Sequence, residues 1–380
     1  MKKKICFVVS SPITVKAFLY NHIRELSRGY DIYLVANLVN ENMDTLKDIP
    51  LVEIKSIPLF RKIDIVQDTK ALLMLLRYLK ENNFDAVHSV TPKAGLIAMT
   101  AARLSGIKNR IHIFTGQVWH TQKGFMRALL KFMDICIATN STCILVDGKS
   151  QREYLIQNKI IKAKDSKVLG KGSISGVDTN RFVPDDLVSQ YIRKELGIEP
   201  HEIVFMFLGR LNKDKGIFDL IDAFLKLKEK YQDIRLLLIG FDEENIESII
   251  RLKYQNIDSI YFGGPTTIAE KMIQACDIFC LPSYREGFGT SVIEASLLEK
   301  PIICSDTYGL RETIINDKTG LRHEVGNVDG LYLLMETLVI NKEKRMLLGK
   351  NGRQYVLDNF SGQTITNEWI KFYNKLLGDV

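Results

Sequence analysis

The stretch that most constrains the fold is Asp277-Ile-Phe-Cys-Leu-Pro-Ser-Tyr-Arg-Glu-Gly-Phe-Gly-Thr-Ser-Val-Ile-Glu294. A short apolar strand ends at a proline, a loop with two glycines follows, and an amphipathic helix begins near Thr290. Gly287 and Gly289 allow the backbone to approach a ligand closely, and the helix N-terminus adds partial positive charge. This order of elements predicts a ligand-binding turn of an α/β domain, suited to phosphate or sugar oxygens.

Two carboxylates belong to this stretch. Glu286 lies in the loop, and Glu294 lies about one turn into the helix. Carboxylate oxygens accept hydrogen bonds from paired hydroxyl groups, so the two side chains suit a sugar and a ribose. The alternative is that Glu294 complements the helix dipole and that Glu286 is a solvated loop residue. Each glutamate alone favours that alternative, whereas the complete stretch favours polyol binding.

Short apolar runs alternate with longer amphipathic stretches in both halves of the chain. This pattern is typical of parallel strands joined by crossover helices, and it predicts an α/β fold in each half. Strands are predicted at 4–10, 31–35, 86–89, 110–114, 143–146, 203–209, 235–240, 259–262, 277–281 and 301–304. Helices are predicted at 15–28 and 69–82.

The length of 380 residues suits two cores rather than one. The segment 170–184 concentrates glycine, serine and turn-forming residues, so it is the predicted hinge. We therefore predict one domain over 1–180, a second over 181–360, and a C-terminal helix over 361–380 that packs back toward the first domain.

A second motif follows the strand predicted at 203–209. Gly209-Arg210 ends that strand, and Lys215 precedes the next helix. Arginine offers a planar fork for two phosphate oxygens and lysine offers a mobile point charge, so the two together can neutralise a diphosphate. Taken in isolation, the motif is equally compatible with an ordinary basic loop.

Composition is that of an ordinary folded protein, with 46% hydrophobic and 26% charged residues. No run approaches the roughly 18 uncharged apolar residues of a membrane-spanning helix. The basic start of the chain is interpreted as a first strand rather than a signal peptide. The six cysteines lie mostly in apolar runs without metal-binding spacing, which predicts reduced core residues and a cytoplasmic location.

Charge is unevenly distributed along the chain. Residues 1–180 carry 27 Lys+Arg and 15 Asp+Glu, a net +12, whereas 181–380 carry 25 and 30, a net −5. The basic half suits phosphate groups or an anionic membrane surface, with charge scatter as the alternative. Lys123, Arg127 and Lys131 recur every four residues among apolar side chains. Such a helix either lies on the inner leaflet of the cytoplasmic membrane or divides core from solvent.

These motifs together resemble the retaining glycosyltransferases of family 4, which have the GT-B fold. The resemblance runs over most of the chain and rests on Gly209-Arg210, Lys215-Gly216, the stretch 277–294 and Thr319-Gly-Leu321. Segments 91–96 and 170–178 are similar to the branch that builds capsule, O-antigen and lipid-linked oligosaccharides. The resemblance implies two Rossmann-like, doubly wound domains facing across a cleft, the first for the acceptor and the second for the nucleotide sugar.

The resemblance also implies roles for individual residues. Arg210 and Lys215 are expected on the donor diphosphate, where they act catalytically by stabilising the leaving group, with Gly209 beside them. Glu294 is expected on the ribose. The donor sugar is expected to contact Glu286 and the loop residues Gly287, Phe288, Gly289 and Thr290.

No cofactor and no metal are implied. The two basic residues take the place of a divalent cation, and the sequence contains no Asp-x-Asp triplet. Enzymes of this family retain the configuration of the anomeric carbon. This is usually explained by front-face attack, in which the departing phosphate accepts the proton of the acceptor. Direct contact of Glu286 with the reacting carbon is the alternative, and it places Glu286 among the catalytic candidates.

Three residues are candidates for the acceptor side. Lys93 stands at a predicted helix start and suits an acceptor phosphate, or else lies in solvent. Gly116 and His120 follow another strand end in a loop expected to face the cleft, although a lone histidine is more often structural. Family members often have two adjacent glycines in the first strand–helix loop, where this chain has Ser10-Ser-Pro-Ile13.

The sequence therefore predicts a metal-independent, retaining glycosyltransferase acting in surface polysaccharide assembly. It would move a hexose or N-acetylhexosamine from a nucleotide diphosphate sugar, taken as a UDP-sugar, to a polyprenyl-diphosphate-linked saccharide or similar glycolipid. No nucleic-acid partner is expected. A GT-B epimerase or phosphorylase and a non-catalytic nucleotide-binding module are the alternatives, and the complete set Arg210, Lys215, Glu286 and Glu294 disfavours them. A dinucleotide-linked dehydrogenase is disfavoured because the first strand lacks G-x-G-x-x-G.

Overall fold

The computed structural model describes residues 1–39, 46–60, 64–255 and 257–378. The chain divides into two compact units. Unit 1 comprises Met1–Gly176 and Gly362–Val380, and unit 2 comprises Val177–Ser361. Each unit is an α/β domain built on a parallel sheet.

The sheet of unit 1 contains the strands β1 Lys3–Val8, β2 Tyr30–Ala36, β3 Glu53–Ser56, β4 Ala86–Val90, β5 Asn109–Phe114, β6 Cys143–Val146 and β7 Ser166–Lys167. Their spatial order is β3-β2-β1-β4-β5-β6-β7, with neighbouring strands parallel. The order reverses between β1 and β4. In doubly wound sheets, ligands bind outside the carboxyl ends of the strands at such a reversal.

The helices of unit 1 are α1 Pro12–Thr14, α2 Tyr20–Leu26, α3 Ile65–Asn82, α4 Pro92–Leu104, α5 Gly124–Asn140, α6 Lys149–Gln157 and α14 Gly362–Leu377. Helix α3 illustrates why they form. The carboxylate of Asp64 accepts from the backbone N–H of Gln67 and caps its start, and Asn83 in the left-handed conformation ends it. Between them, Leu75 and Leu79 lie one turn apart and are buried.

Unit 2 repeats the architecture with β8 Ile203–Leu208, β9 Ile234–Ile239, β10 Ile260–Gly264, β11 Ile278–Leu281, β12 Ile302–Ser305 and β13 Leu321–His323. Its strand order is β10-β9-β8-β11-β12-β13, and the pairs are parallel. The helices are α7 Asp186–Glu195, α8 Ile217–Lys228, α9 Ile246–Lys253, α10 Ala269–Met272, α11 Thr290–Leu297, α12 Val328–Ile340 and α13 Lys342–Phe360. The order reverses between β8 and β11, the two strands whose loops carry the predicted donor motifs.

Helix α14 packs within unit 1 through a stack of aromatic rings. The indole of Trp369 lies between the imidazoles of His22 and His88, at 4.6 and 5.1 Å between ring centres. Nδ1 of His88 also contacts the hydroxyl of Tyr373 at 2.7 Å. Burial lowers the pKa of His22 to about 4 and that of His88 to about 3, and it lowers the pKa of the neighbouring His112 to about 3. The cluster is therefore neutral at physiological pH.

All ten predicted strands are present, with ends shifted by a few residues. The strands β3, β7 and β13 were not predicted, because they are two to four residues long and carry no extended apolar run. The helix predicted at 69–82 begins earlier, at Ile65, and the one predicted at 15–28 begins as a π-helical turn at Val15–Leu19 and continues as α2 to Leu26.

The cysteines are free thiols, and all but Cys136 are buried. Across the described ranges of the chain, none of the helices is long and apolar enough to cross a membrane.

Candidate functional site

The loop after β8 carries Arg210 and Lys215 at the carboxyl edge of the unit 2 sheet. It passes through a 3-10 turn at Lys213–Lys215 and enters α8 at Gly216, whose φ is +68°. A Cβ at Gly216 would lie 2.2 Å from the carbonyl oxygen of Pro282. Glycine is therefore required here for the loop after β8 to lie against the loop after β11.

Two ion pairs join these loops. The ammonium of Lys215 donates to Oε1 of Glu286 at 2.5 Å, and the hydroxyl of Ser283 donates to the same oxygen at 2.9 Å. The side chains of Lys215 and Glu286 are only 16% and 11% exposed. Next to them, Arg285 donates to Asp214 at 2.7 Å. Oε2 of Glu286 makes no hydrogen bond within the described chain, so it is the oxygen available to a hydroxyl of a ligand.

The glycine loop after β11 is fixed by its contact with the loop after β12. Gly309 has a φ of +83°, and a Cβ there would lie 2.6 Å from the carbonyl oxygen of Gly287. The N–H of Gly289 donates to the carbonyl of Gly309 at 3.2 Å. The ring of Phe288 packs against the unit 2 core, and Thr290 begins α11. The loop backbone, rather than the Phe288 ring, is thus the part available to a ligand.

The loops after β8 and β9 are equally close. A Cβ at Gly240 would lie 1.8 Å from the carbonyl oxygen of Gly209. Nη1 of Arg210 donates to both carboxylate oxygens of Glu243, at 2.9 and 2.8 Å. The side-chain amide of Asn212 donates to the same carboxylate at 2.7 Å. Each of the two predicted phosphate-binding cations is therefore held by a carboxylate from another loop.

Glu294 is the second predicted carboxylate, and it lies partly buried on α11. Burial raises the pKa of its carboxyl group to about 7, an effect opposed by Arg181 and reinforced by Glu270. Arg181 itself binds Glu270 at 2.5 Å. Glu294 makes no hydrogen bond to the described residues, which leaves both its oxygens available to a ligand. An unsatisfied carboxyl with a raised pKa beside a glycine loop is typical of a functional site.

Lys93 lies at the start of α4 in unit 1, and it does not extend into solvent. It is buried and forms an ion pair with Asp68 of α3. Thr91 precedes it with a φ of +75°, and its hydroxyl contacts that of Ser10 at 2.8 Å. The loops after β1 and β4 therefore meet at the reversal point of the sheet through serine and threonine hydroxyl groups.

Gly116 and His120 follow β5, at the same edge of the unit 1 sheet. Nδ1 of His120 contacts the hydroxyl of Tyr154 at 2.7 Å. The adjacent Trp119 is buried, stacks on Tyr154 at 5.3 Å and donates to Asp134 at 2.7 Å. His120 thus belongs to a packed polar cluster, and Gly116 lies in the turn that leads into it.

Comparison with known proteins identifies the family. The model "Glycosyltransferase Family 4" matches residues 15–173, and "Glycosyl transferases group 1" matches residues 188–355. The capsular polysaccharide biosynthesis glycosyltransferase CapM of Staphylococcus aureus is 33% identical over 84% of this chain and 84% of its own length. This chain belongs to the family 4 glycosyltransferases.

A second relative and a solved structure extend the comparison. The N,N'-diacetylbacillosaminyl-diphospho-undecaprenol alpha-1,3-N-acetylgalactosaminyltransferase of Campylobacter jejuni is 27% identical to this glycosyltransferase over 82% of each chain. The Anabaena HepE structure, solved with UDP and glucose, superposes with a TM-score of 0.81 over 98% of this chain and 99% of HepE, at 17% identity. This glycosyltransferase therefore has the GT-B fold, with two Rossmann-like domains.

Two partners of the candidate residues had no signal in the sequence of this glycosyltransferase. Glu243, which binds Arg210, lies 33 residues further along the chain in a loop without a recognisable motif. Asp68, which binds Lys93, lies 25 residues before it on another helix. The sequence indicates only that Glu243 follows the end of β9. Because β9 lies next to β8 in the sheet, that position places Glu243 near Arg210.

Helix α5 of this glycosyltransferase has an unusual outer face. Phe125 and Phe132 are 81% and 61% exposed and share one side of the helix with Leu129. The buried residues Asp134 and Ile137 lie on the opposite side. The helix thus has one side in the core and one side exposed, and the exposed side carries large apolar rings; its binding to a membrane stays a prediction.

Basic residues occupy the other side of this helix, the side of Asp134. The charged ends of Arg127 and Lys131 lie over the ring of Trp119, at 5.9 and 5.0 Å from its centre. Lys123 precedes the first turn and is exposed. The segment 120–133 contains no acidic residue. The N-terminal half of α5 is thus both apolar and cationic on its surface.

Proposed function

We propose that this enzyme transfers a hexosyl or N-acetylhexosaminyl group from a UDP-sugar to a polyprenyl-diphosphate-linked saccharide or similar glycolipid. The transfer retains the configuration of the anomeric carbon and requires no metal. It serves surface polysaccharide biosynthesis at the cytoplasmic face of the membrane. CapM is named for capsular polysaccharide, the Campylobacter enzyme for a diphospho-undecaprenol acceptor, and HepE was solved with UDP and glucose, all of which support the proposal.

The observation that carries the proposal is the arrangement of Arg210 and Lys215 at the reversal point of the unit 2 sheet. Both cations extend from the loop after β8 and are held by carboxylates of neighbouring loops. A departing nucleoside diphosphate develops negative charge, and fixed cations stabilise that charge without a reorganisation cost. The two side chains can therefore supply the charge that a divalent cation supplies in other enzymes.

Glu286 is proposed to hold the donor sugar through Oε2. Its other oxygen already accepts from Lys215 and Ser283, which fixes the orientation of the carboxylate. A carboxylate whose orientation is fixed in this way is better placed to accept hydrogen bonds from sugar hydroxyls than to attack the anomeric carbon. Retention then follows from front-face attack, with the leaving phosphate accepting the proton of the acceptor hydroxyl. Glu294 is proposed to bind the ribose.

The acceptor is proposed to bind unit 1 at the carboxyl edge of its sheet. Lys93 would contact the acceptor diphosphate, with the phosphate replacing Asp68 as the partner of its ammonium group. Gly116 and His120 would contact the acceptor saccharide, since they follow β5 at the same edge.

Membrane attachment is proposed through the outer face of α5. The exposed rings of Phe125 and Phe132 suit the acyl boundary of a bilayer, and Lys123, Arg127 and Lys131 suit anionic headgroups. The exposed apolar rings, in a segment 120–133 that contains basic but no acidic residues, are what favours an anionic lipid surface over a second protein. This attachment would bring the enzyme to a lipid-linked acceptor.

The test begins with nucleotide sugars. UDP-, GDP-, ADP- and dTDP-sugars are compared by thermal shift in EDTA, and the one that binds is tested for transfer to an extracted polyprenyl-linked saccharide. Nuclear magnetic resonance of the product gives the anomeric configuration and distinguishes transfer from epimerisation. Failure of every nucleotide sugar to bind would overturn the proposal.

The ribose assignment is tested by Glu294→Ala. Loss of a charged hydrogen-bonding group on the ribose should weaken donor binding by about tenfold, or about 1.4 kcal/mol. Glu247→Ala on α9 is the matched control, because Glu247 pairs with the exposed Arg251. Equal donor affinity of the Glu294 variant and the control would remove Glu294 from the donor site.

A further inference from the structure

The guanidinium group of Arg210 uses one of its three nitrogen atoms for its ion pair. Nη1 contacts both oxygens of Glu243, whereas Nε and Nη2 make no hydrogen bond within the described chain. The Nε–Nη2 edge of a guanidinium presents two parallel N–H groups, which is the geometry that binds a phosphate with two hydrogen bonds. Glu243 thus grips Arg210 while leaving its phosphate-binding edge available.

Glu243 is itself held by the loops around it. Its carboxylate accepts from the side-chain amide of Asn212 at 2.7 Å, and Asn212 is buried. Its backbone N–H donates to the carbonyl of Leu211 at 3.0 Å, and the N–H of Leu211 donates to the carbonyl of Phe241 at 2.8 Å. The loops after β8 and β9 therefore extend the sheet by one rung beyond the strand ends, and this rung fixes the position of the carboxylate.

We propose that Glu243 is a positioning residue for the donor diphosphate, acting through Arg210. It orients the Nε–Nη2 edge toward the phosphate and suppresses the other rotamers of a long, partly exposed side chain. The inference rests on the proposed function, because it presumes that a nucleoside diphosphate binds at Arg210. None of the motifs in the sequence assigns a role to Glu243.

Glu243 has an opposing effect on an anionic ligand. A carboxylate about 8 Å from a phosphate in water-like surroundings repels it by an amount that changes affinity only about twofold. Side chains in direct contact typically show coupling that corresponds to about tenfold in affinity. Positioning therefore outweighs repulsion, and loss of Glu243 should weaken diphosphate binding. A carboxylate that merely competed with phosphate for Arg210 would give the opposite sign.

The test uses Glu243→Asp, which keeps the charge and shortens the side chain by one methylene group. Binding of UDP, GDP, ADP and dTDP to the full-length wild-type enzyme is measured by titration calorimetry, and the best of them is compared with its nucleoside. Glu243→Asp and Glu243→Ala should each bind the diphosphate about tenfold more weakly than the wild type does. Their affinity for the nucleoside should be unchanged. Glu244→Gln is the matched control, because Glu244 lies in the same loop but accepts from the backbone of Lys213.

A double-mutant cycle separates positioning from a structural role. In an Arg210→Ala background, Glu243→Asp should change diphosphate affinity less than twofold, because the residue through which it acts is gone. An equal loss in both backgrounds, unchanged affinity, or tighter binding would overturn the inference while leaving the proposed function intact. If none of the four diphosphates binds the wild-type enzyme, the proposed function fails and the inference fails with it.

Discussion

The strand-end loops of the two units differ in how their polar residues are satisfied. In unit 2, ion pairs between loops hold Arg210 and Lys215, and each pair leaves hydrogen-bonding atoms available. In unit 1, Lys93 is buried against Asp68, and His120 belongs to the Trp119 cluster. The candidate cations of unit 2 are therefore fixed with hydrogen-bonding atoms still available, whereas Lys93 and His120 of unit 1 are held by Asp68 and Tyr154.

The source of rigidity differs as well. The site loops of unit 2 are fixed by glycines whose missing side chains let neighbouring backbones touch, as at Gly216 and Gly309. Unit 1 is fixed away from its strand-end loops, by the stack of His22, Trp369 and His88 that seats α14.

The largest expected effect is an acid-induced loss of stability in unit 1. The unfolded state titrates its histidines near pH 6.5, whereas His22, His88 and His112 in the folded state titrate at about 4, 3 and 3. Between these values the unfolded state binds more protons, so stability falls as pH decreases from about 6.5 toward 4. At pH 5 the three histidines together should cost about 6 kcal/mol relative to pH 7 or above. Burial raises the pKa of Asp134 to about 7 and also raises that of Asp147, and these two groups of unit 1 offset part of the cost.

Tryptophan fluorescence can follow this loss selectively, because both tryptophans, Trp119 and Trp369, belong to unit 1. Urea unfolding at pH 7 and pH 5 gives the difference in the free energy of unfolding. Hydrogen exchange over 177–361 is the internal control, and unit 2 should respond much less. Because Asp134 and Asp147 act with the opposite sign, the same comparison is made for His22→Asn, and a pH dependence equal to that of the wild type would show that burial does not keep His22 neutral.

The second effect concerns catalysis in unit 2. Arg210→Ala should lower kcat/KM about 100- to 1000-fold, because a fixed donor to the leaving group is lost. Lys213→Ala removes an exposed cation from the same loop and is the control. If the two variants lose activity equally, general positive charge rather than the geometry of Arg210 serves the diphosphate.

Much of the fold, together with the two loops that carry the proposed donor site, could be predicted from sequence, for a physical reason. Parallel strands buried on both faces leave continuous apolar runs, and the glycine at position 216 stands where a Cβ would meet the backbone of the neighbouring loop. The partner Glu243 could not be predicted, since its contact with Arg210 depends on the order of β8 and β9 in the sheet. The stack at Trp369 joins positions 22, 88 and 369, which no periodic pattern connects.

The third effect tests backbone contact as the source of rigidity in the donor site. Gly216→Ala adds a Cβ 2.2 Å from the Pro282 carbonyl oxygen in addition to a strained φ, and it should destabilise unit 2 by about 3 kcal/mol. Gly106→Ala in unit 1 has a similar φ of +77° with nothing within 4 Å, and it should cost only about 1 kcal/mol. Chemical denaturation followed by circular dichroism measures both. Equal losses would mean that conformational strain, and not contact between the two loops, makes glycine necessary at position 216.

The smallest effect concerns helix α5, whose Phe125 and Phe132 rings are exposed in the described part of unit 1. Replacing Lys123, Arg127 and Lys131 with glutamine should weaken binding to vesicles of one-third anionic lipid about tenfold, less than three fully exposed cations would give. The effect is expected to be smaller than that of three exposed cations because Arg127 and Lys131 already lie over Trp119.

Phe125→Ser with Phe132→Ser should weaken binding to neutral and anionic vesicles alike, because it removes the apolar contribution. Co-sedimentation at 50 and 300 mM salt distinguishes the two, since the electrostatic part decreases with salt and the apolar part does not. Binding that is unaffected by either set of substitutions would assign the exposed stripe to a protein partner instead, and size-exclusion chromatography of the wild-type enzyme would then reveal whether that partner is a second copy of the chain.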